Sequence, residues 1–220
     1  MAEIVITVRG DAETHQHPEL AVLHLAVAVE GDDRDSVVAR ATDTLAAVRD
    51  GLERSSSDGS VSTWTAGTTA VWSDRPWDGQ GQRRELVHHA TVPLTATFVD
   101  VGALSTWVAA TARLDDVRIS HVDWQLTPGT RTRLERDVAT TAVRRAVDRA
   151  AAYATALGRT SVEALEIADT GLLSGPGSPG APEMRFARAA AFGDAGGGQI
   201  DLRPDDIVVT ASVEGRFSAK

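Results

Sequence analysis

The sequence predicts an α+β fold: a split-βαβ antiparallel sheet core with helices on one face, extended by a long C-terminal helix and terminal strands. Three observations carry this reading. Period-two segments, such as Leu23, Leu25, Val27 and Val29 alternating with His24, Ala26, Ala28 and Glu30, read as strands. Segments of helical spacing separate them, and from the second strand onward the order is β, α, β, β, α, β. Finally, the stretch from Arg131 to Gly158 is apolar at Ala139, Ala142, Val143, Ala146, Val147, Ala150, Tyr153, Ala154 and Leu157. Arg133, Asp137, Arg144 and Asp148 fall on its opposite side, which predicts one helix roughly 40 Å long with a small-residue face.

Taken in order, Ile4, Ile6 and Val8 form a short strand ending at Gly10-Asp11, followed by a polar turn that contains Pro18. The strand through Leu23 ends at the polar cluster Gly31 to Asp35. Val37, Val38, Ala41, Leu45, Val48 and Leu52 then recur at helical spacing, with Asp35 or Ser36 as cap. Val61 to Trp72 is rich in Thr, Val and Trp and reads as one strand, and the Pro- and Gly-containing stretch after Asp74 reads as a hairpin loop. In the next strand, Leu86, His88, Ala90, Val92, Leu94, Ala96 and Phe98 share a side, and Pro93 on the other predicts an edge or a bulge. Asp100 caps a shorter helix. Between Val117 and Leu126 the parity of the apolar residues changes, which places a bulge near Ser120-His121. Thr130 is the expected N-cap of the long helix and Gly158 its C-terminal glycine. Val162 to Ile167 and Ile207 to Phe217 supply further strands, and the Gly- and Pro-rich 171–199 reads as a long flexible loop. The first and last strands are expected to pair, since each alone would be an unpaired edge.

The resulting organisation is one domain over 1–220, with a ferredoxin-like split-βαβ core at 19–127 and a second half made of 1–10 and 131–220. The chain has 31 acidic against 22 basic residues, a formal charge of −9, which disfavours sequence-independent binding to nucleic acid or anionic lipid. It contains no cysteine, which excludes disulfides, thiolate catalysis and Cys-ligated metal centres. The most apolar run, Leu20 to Val29, is too short to span a membrane as a helix. The opening MAEIVITVRGDAETHQH lacks a basic segment followed by an apolar one, so the expectation is a cytoplasmic protein.

Candidate chemistry is sparse. His15 and His17 sit in a polar turn with no third ligand in view, and His88 and His89 point to opposite faces of a strand. His24 and His121 fit hydrogen-bonded core positions, and a composite site of distant His and Asp is the alternative. Gly175, Gly177 and Gly180 precede no helix and so make no phosphate loop. The pairs Asp32-Asp33, Asp115-Asp116 and Asp205-Asp206 fall at turns, where aspartate bonds to local backbone. The sequence assigns no catalytic residue, no metal site and no cofactor. Five tryptophans stand against one tyrosine. Trp107 and Trp124 read as core, while Trp64, Trp72 and Trp77 are the candidate contact residues, Trp77 in its polar loop first among them and Trp64 and Trp72 sharing a face if their strand is regular.

Four stretches stand in a telling order: the opening IVITVRGDAE, the Pro18-Glu19-Leu20-Ala21 entry to the second strand, the alanine helix closing on Ala156-Leu157-Gly158, and the terminal Leu202-Arg203-Pro204-Asp205-Asp206-Ile207-Val208-Val209 leading to Val213. With these in this order the chain resembles the SIMPL-domain family, also labelled DUF541. The resemblance covers nearly the whole chain. It implies an α+β fold, a tendency to self-assemble and no established catalytic residues to carry over. Many such proteins are exported to the bacterial periplasm or envelope, and some are linked to stress tolerance or signalling complexes. The absent export signal departs from that pattern. The expectation is therefore a non-enzymatic protein acting through self-assembly or a protein partner, probed against a small-molecule or metal-dependent enzyme with a composite His/Asp site.

Overall fold

The computed structural model describes residues 4–76, 85–173 and 202–220. Packing divides the described residues into two compact units, one drawn from 4–17, 126–173 and 206–220 and the other from 18–76, 85–125 and 202–205. The fold is α+β, with antiparallel sheets and three helices among the described residues.

The first unit holds strands β1 (Ile4–Gln16), β7 (Val162–Asp169) and β8 (Ile207–Ala219) and helix α3 (Pro128–Ala156), with sheet order β1-β8-β7. The expected pairing of first and last strands is present: β1 and β8 run antiparallel without a register shift from Ile4↔Ala219 to Gln16↔Ile207. The strand does not stop at Gly10. A Cβ there would lie 2.0 Å from the Ala142 carbonyl oxygen and 2.9 Å from Ala146 Cβ, so the glycine marks where α3 presses on the sheet and not where the chain turns. The helix buries Leu134, Val138, Ala142, Ala146, Ala150 and Ala154, a line of every fourth residue. That line is narrower than the predicted stripe: Ala139, Val147, Tyr153 and Leu157 are exposed, because α3 lies over β1 and β8 and scarcely reaches β7.

The helix also begins earlier than the apolar pattern indicates. Thr127 is the N-cap, its Oγ1 accepting from the Thr130 N–H at 3.3 Å, and Pro128 takes the first turn, where its missing N–H costs nothing. At the other end Gly158 has φ +72°, with Gly158 N–H bonded to the Thr155 carbonyl and Arg159 N–H to that of Ala154, a Schellman closure.

The second unit holds β2 (Leu20–Gly31), α1 (Arg34–Ser57), β3 (Val61–Ala66), β4 (Ala70–Asp74), β5 (Val87–Phe98), α2 (Val101–Thr111) and β6 (Val117–Gln125). Its sheet order is β3-β5-β2-β6, with β4 also on β5, which is the split-βαβ arrangement. Leu23, Leu25, Val27 and Val29 of β2 and Val92, Leu94, Ala96 and Phe98 of β5 join Val37, Val48, Leu52, Leu104 and Val108 of the helices in one core. The α1 cap is Asp33, whose carboxylate accepts from Ser36 N–H at 2.8 Å, two residues before the expected Asp35. Asp100 caps α2 as expected, accepting from Ala103 N–H.

Two irregularities set the faces of this sheet. β5 is neither an edge nor bulged at Pro93, since β2 pairs on one side and β3 and β4 on the other. The accommodation is in the neighbour. Pro93 faces the break between β3 and β4, where its carbonyl accepts from Gly67 N–H at 2.8 Å and its missing donor leaves no ladder bond unmade. The second irregularity is the expected bulge in β6. His24 pairs with His121 but Leu25 with Ile119, so Ser120 is the extra residue.

Candidate functional site

The bulge at Ser120 positions the strongest cluster of ligating side chains. Val117 and Ile119 pack toward the helices; past the extra residue the parity reverses, so Val122 enters the core and His121 and Asp123 turn to the opposite face. His24 on β2 also points there, being out of phase with the buried Leu23 and Leu25, and the register sets it directly across from His121. The two imidazoles stack, with centroids 4.4 Å apart and planes 10° from parallel. Asp123 Oδ2 lies 3.2 Å from His24 Nε2 and 3.6 Å from His121 Nε2. One ligand atom from each of the three falls within 4.8 Å of the others, and this is the metal-capable group found among the described residues. The side chains are 34%, 47% and 43% exposed for His24, His121 and Asp123, so solvent reaches all three.

The other histidines go elsewhere. His88 and His89 do point to opposite faces. His88 Nδ1 meets Ser73 Oγ at 2.6 Å, while His89 lies 3.3 Å from Asp74 and 4.0 Å from Glu30 with Trp72 stacked on it at 5.1 Å. His15 is on β1, 3.9 Å from Glu13, and His17 pairs with Asp206 at 3.3 Å. The aspartates at turns behave as turn and surface residues: Asp33 caps α1 and Asp116 receives Arg40 at 2.7 Å.

Trp64 and Trp72 do not share a face. From Ala66 to Ala70 the chain advances four residues while their partners on β5 move only three, from Leu94 to Thr91, and the extra residue reverses the alternation. Trp64 packs on the helix side, with Arg49 of α1 5.7 Å from its ring centroid, and Trp72 is on the other side with His89. Trp77 and the glycines at 175, 177 and 180 lie outside the described residues, as does all but 171–173 of the loop expected at 171–199. Trp107 is buried against Phe98 at 5.8 Å and Trp124 is half-buried on the core, as their sequence positions predict.

In the first unit the two edges of the sheet are treated differently. Arg145 and Arg149 of α3 fold back over β1, donating to the carbonyls of Asp11 at 2.8 Å and Arg9 at 2.6 Å. These helix arginines are therefore committed to their own sheet edge. At the opposite edge β7 leaves Leu165 50% and Ile167 44% exposed; its register on β8 shifts between Ala164 and Glu166, and the Asp169 carbonyl at its end accepts from the Leu172 N–H of the following turn at 3.1 Å. Glu163 and Glu166 on β7 pair with Lys220 and Arg216 of the adjacent β8 end. The Lys220 ammonium holds the Glu163 carboxyl below the usual carboxylate range. No helix of the described residues is long and apolar enough to cross a membrane.

A family model described as SIMPL, a protein of unknown function (DUF541), matches residues 6–217. No curated protein matches the chain.

Proposed function

The chain belongs to the SIMPL family, and from that premise we propose that it works by self-association through the β7 edge rather than by catalysis. One observation carries the reading: of the two edges of the first-unit sheet, one is crossed by arginines of α3 and the other leaves apolar side chains exposed. Guanidinium donors occupy two β1 carbonyls, those of Arg9 and Asp11, whereas the eight-residue β7, shifted in register at Leu165, has Leu165 and Ile167 exposed beside it. An exposed apolar edge is a template for another strand. In the second unit β3 and β4 have only six and five residues, and Leu165 and Ile167 are the exposed large apolar side chains that mark β7 as the pairing edge.

Antiparallel pairing of β7 with β7 of a second copy would join two three-stranded sheets into one of six strands. The contact uses the same patch on both copies, so it closes as a symmetric dimer, and the arginines over Arg9 and Asp11 oppose further growth at the β1 edges. Light scattering coupled to size exclusion over a wide concentration range tests this. The expected result is a species of twice the monomer mass that the pair Leu165→Lys and Ile167→Lys returns to monomer. A wild type that stays monomeric at the highest concentration, or a dimer indifferent to those two changes, refutes it.

A further inference from the structure

We infer that His24, His121 and Asp123 form a binding site for a divalent transition-metal ion of the zinc type, held on the face of the second-unit sheet turned away from α1 and α2. The inference is independent of the dimer proposal, because it uses another unit and other residues.

The donor set selects the class of ion. Two imidazole nitrogens and one carboxylate oxygen are borderline donors suited to Zn²⁺, Co²⁺, Ni²⁺ or Cu²⁺, whereas Mg²⁺ and Ca²⁺ require shells of oxygen. The spacing fits as well. A tetrahedral ion with bonds of about 2.1 Å sets its ligands about 3.4 Å apart. The His24–Asp123 and His121–Asp123 separations of 3.2 Å and 3.6 Å bracket that value. The carboxylate thus stands at the right distance from both nitrogens already. What must change is the stack. Rings 10° from parallel cannot both direct an in-plane lone pair at one point between them, so each must turn about its broad, low-barrier χ2 torsion until the two converge. Half-exposed side chains have room for that rotation.

The same strands also fix what the site leaves open. The three ligands come from a two-strand patch of one sheet face, so they occupy one side of the ion, and the solvent side is left for water or an exchangeable anion. A closed structural zinc site takes four protein ligands, and three with an open position is the arrangement of exchangeable and reactive sites. The backbone supplies the rigidity: His24 and His121 are direct cross-strand partners, and the Ser120 bulge is what brings His121 and Asp123 onto the face of His24.

The test is titration of the purified full chain with Zn²⁺ by calorimetry, repeated with Co²⁺, whose visible absorption reports coordination by nitrogen and oxygen. The expected result is one saturable ion per chain. His24→Gln, His121→Gln and Asp123→Asn should each weaken it by at least about tenfold, the scale already seen for losing a supporting group around a metal. The double variant His15→Gln with His17→Gln, which removes two exposed histidines outside the cluster, should bind like the wild type. Free Zn²⁺ at a hundred times its Kd should raise Tm by about 5–10 °C. Absence of saturable binding overturns the inference. So does binding that survives loss of both His24 and His121, or that disappears with His15 and His17. Should a histidine variant fail to fold by circular dichroism, Asp123→Asn, which preserves shape, decides: retained affinity there also overturns it.

Discussion

Gly10→Ala is the substitution that most directly tests how the first unit is packed. A Cβ at this position would sit 2.0 Å from the Ala142 carbonyl oxygen and 2.6 Å from the Ala146 nitrogen, both helix backbone and unable to swing aside. Ordinary contact begins at 3.4 Å, so α3 must retreat by about 1.4 Å at its centre. A radial gap of 0.5–1 Å already forfeits a quarter to a half of a van der Waals contact. The alanine line from Ala142 to Ala154 would lose most of its hold on β1 and β8. The cost falls at the top of the overpacking range, about 3 kcal/mol. With a urea m-value of about 2 kcal/mol per molar, the midpoint should fall by about 1.5 M. Far-UV circular dichroism in urea is the assay. Gly129→Ala, on the same helix with nothing within 4 Å of its added Cβ, is the control and should be neutral or slightly stabilising. A Gly10→Ala midpoint within about 0.25 M of wild type, or a shift no larger than that of the control, would refute the close approach of α3.

Three further outcomes are expected. Ala146→Leu attacks the same contact from the helix side and should cost about 1–3 kcal/mol, read from the same urea midpoint. Replacing both Arg145 and Arg149 with Ala uncovers the β1 carbonyls, so light scattering should show species larger than the dimer, and an unchanged mass would mean those arginines do not guard the edge. In the turn after α1, the Ser60 hydroxyl and backbone N–H both donate to Asp58 and hold its carboxyl below the ordinary value of 3.8. A depressed folded-state value contributes stability that is present above 3.8 and lost as pH falls through the lower folded value, so Asp58→Asn should flatten the acid side of the stability profile. Titration of the Asp58 carboxyl by NMR checks the direction.

Much of the fold is legible in the sequence because it depends on patterns internal to one segment. Alternation places Leu23 to Val29 and Val92 to Phe98 in the core, the parity change between Ile119 and Val122 announces the bulge, and Asp100 announces its helix. Where the reading departs from the structure, the deciding partner is distant in sequence. Gly10 looks like a turn until Ala142 and Ala146 are seen to press on it, and Pro93 looks like an edge signal until the gap at Gly67 is seen to receive it. Tyr153 and Leu157 look buried by spacing, yet α3 lies over β1 and β8 and scarcely reaches β7, which leaves that side of the helix uncovered.

The candidate sites obey a stricter form of the same rule. Strand side chains have a period of two, so one extra residue exchanges the faces of everything beyond it. The extra residue between Ala66 and Ala70 separates Trp64 from Trp72, although their spacing alone would unite them. Ser120 does the reverse, moving His121 and Asp123 onto the face of His24, almost a hundred positions earlier in the chain. A parity break locates such a residue in the sequence, but only the register says which side chain it delivers to which neighbour. Deleting Ser120 therefore sets two structures in competition. If β6 keeps the outer pairing of His121 with His24, the core loses the phase of Val117 and Ile119; if it keeps those two buried, Val122 leaves the core and the His–His–Asp cluster is dismantled.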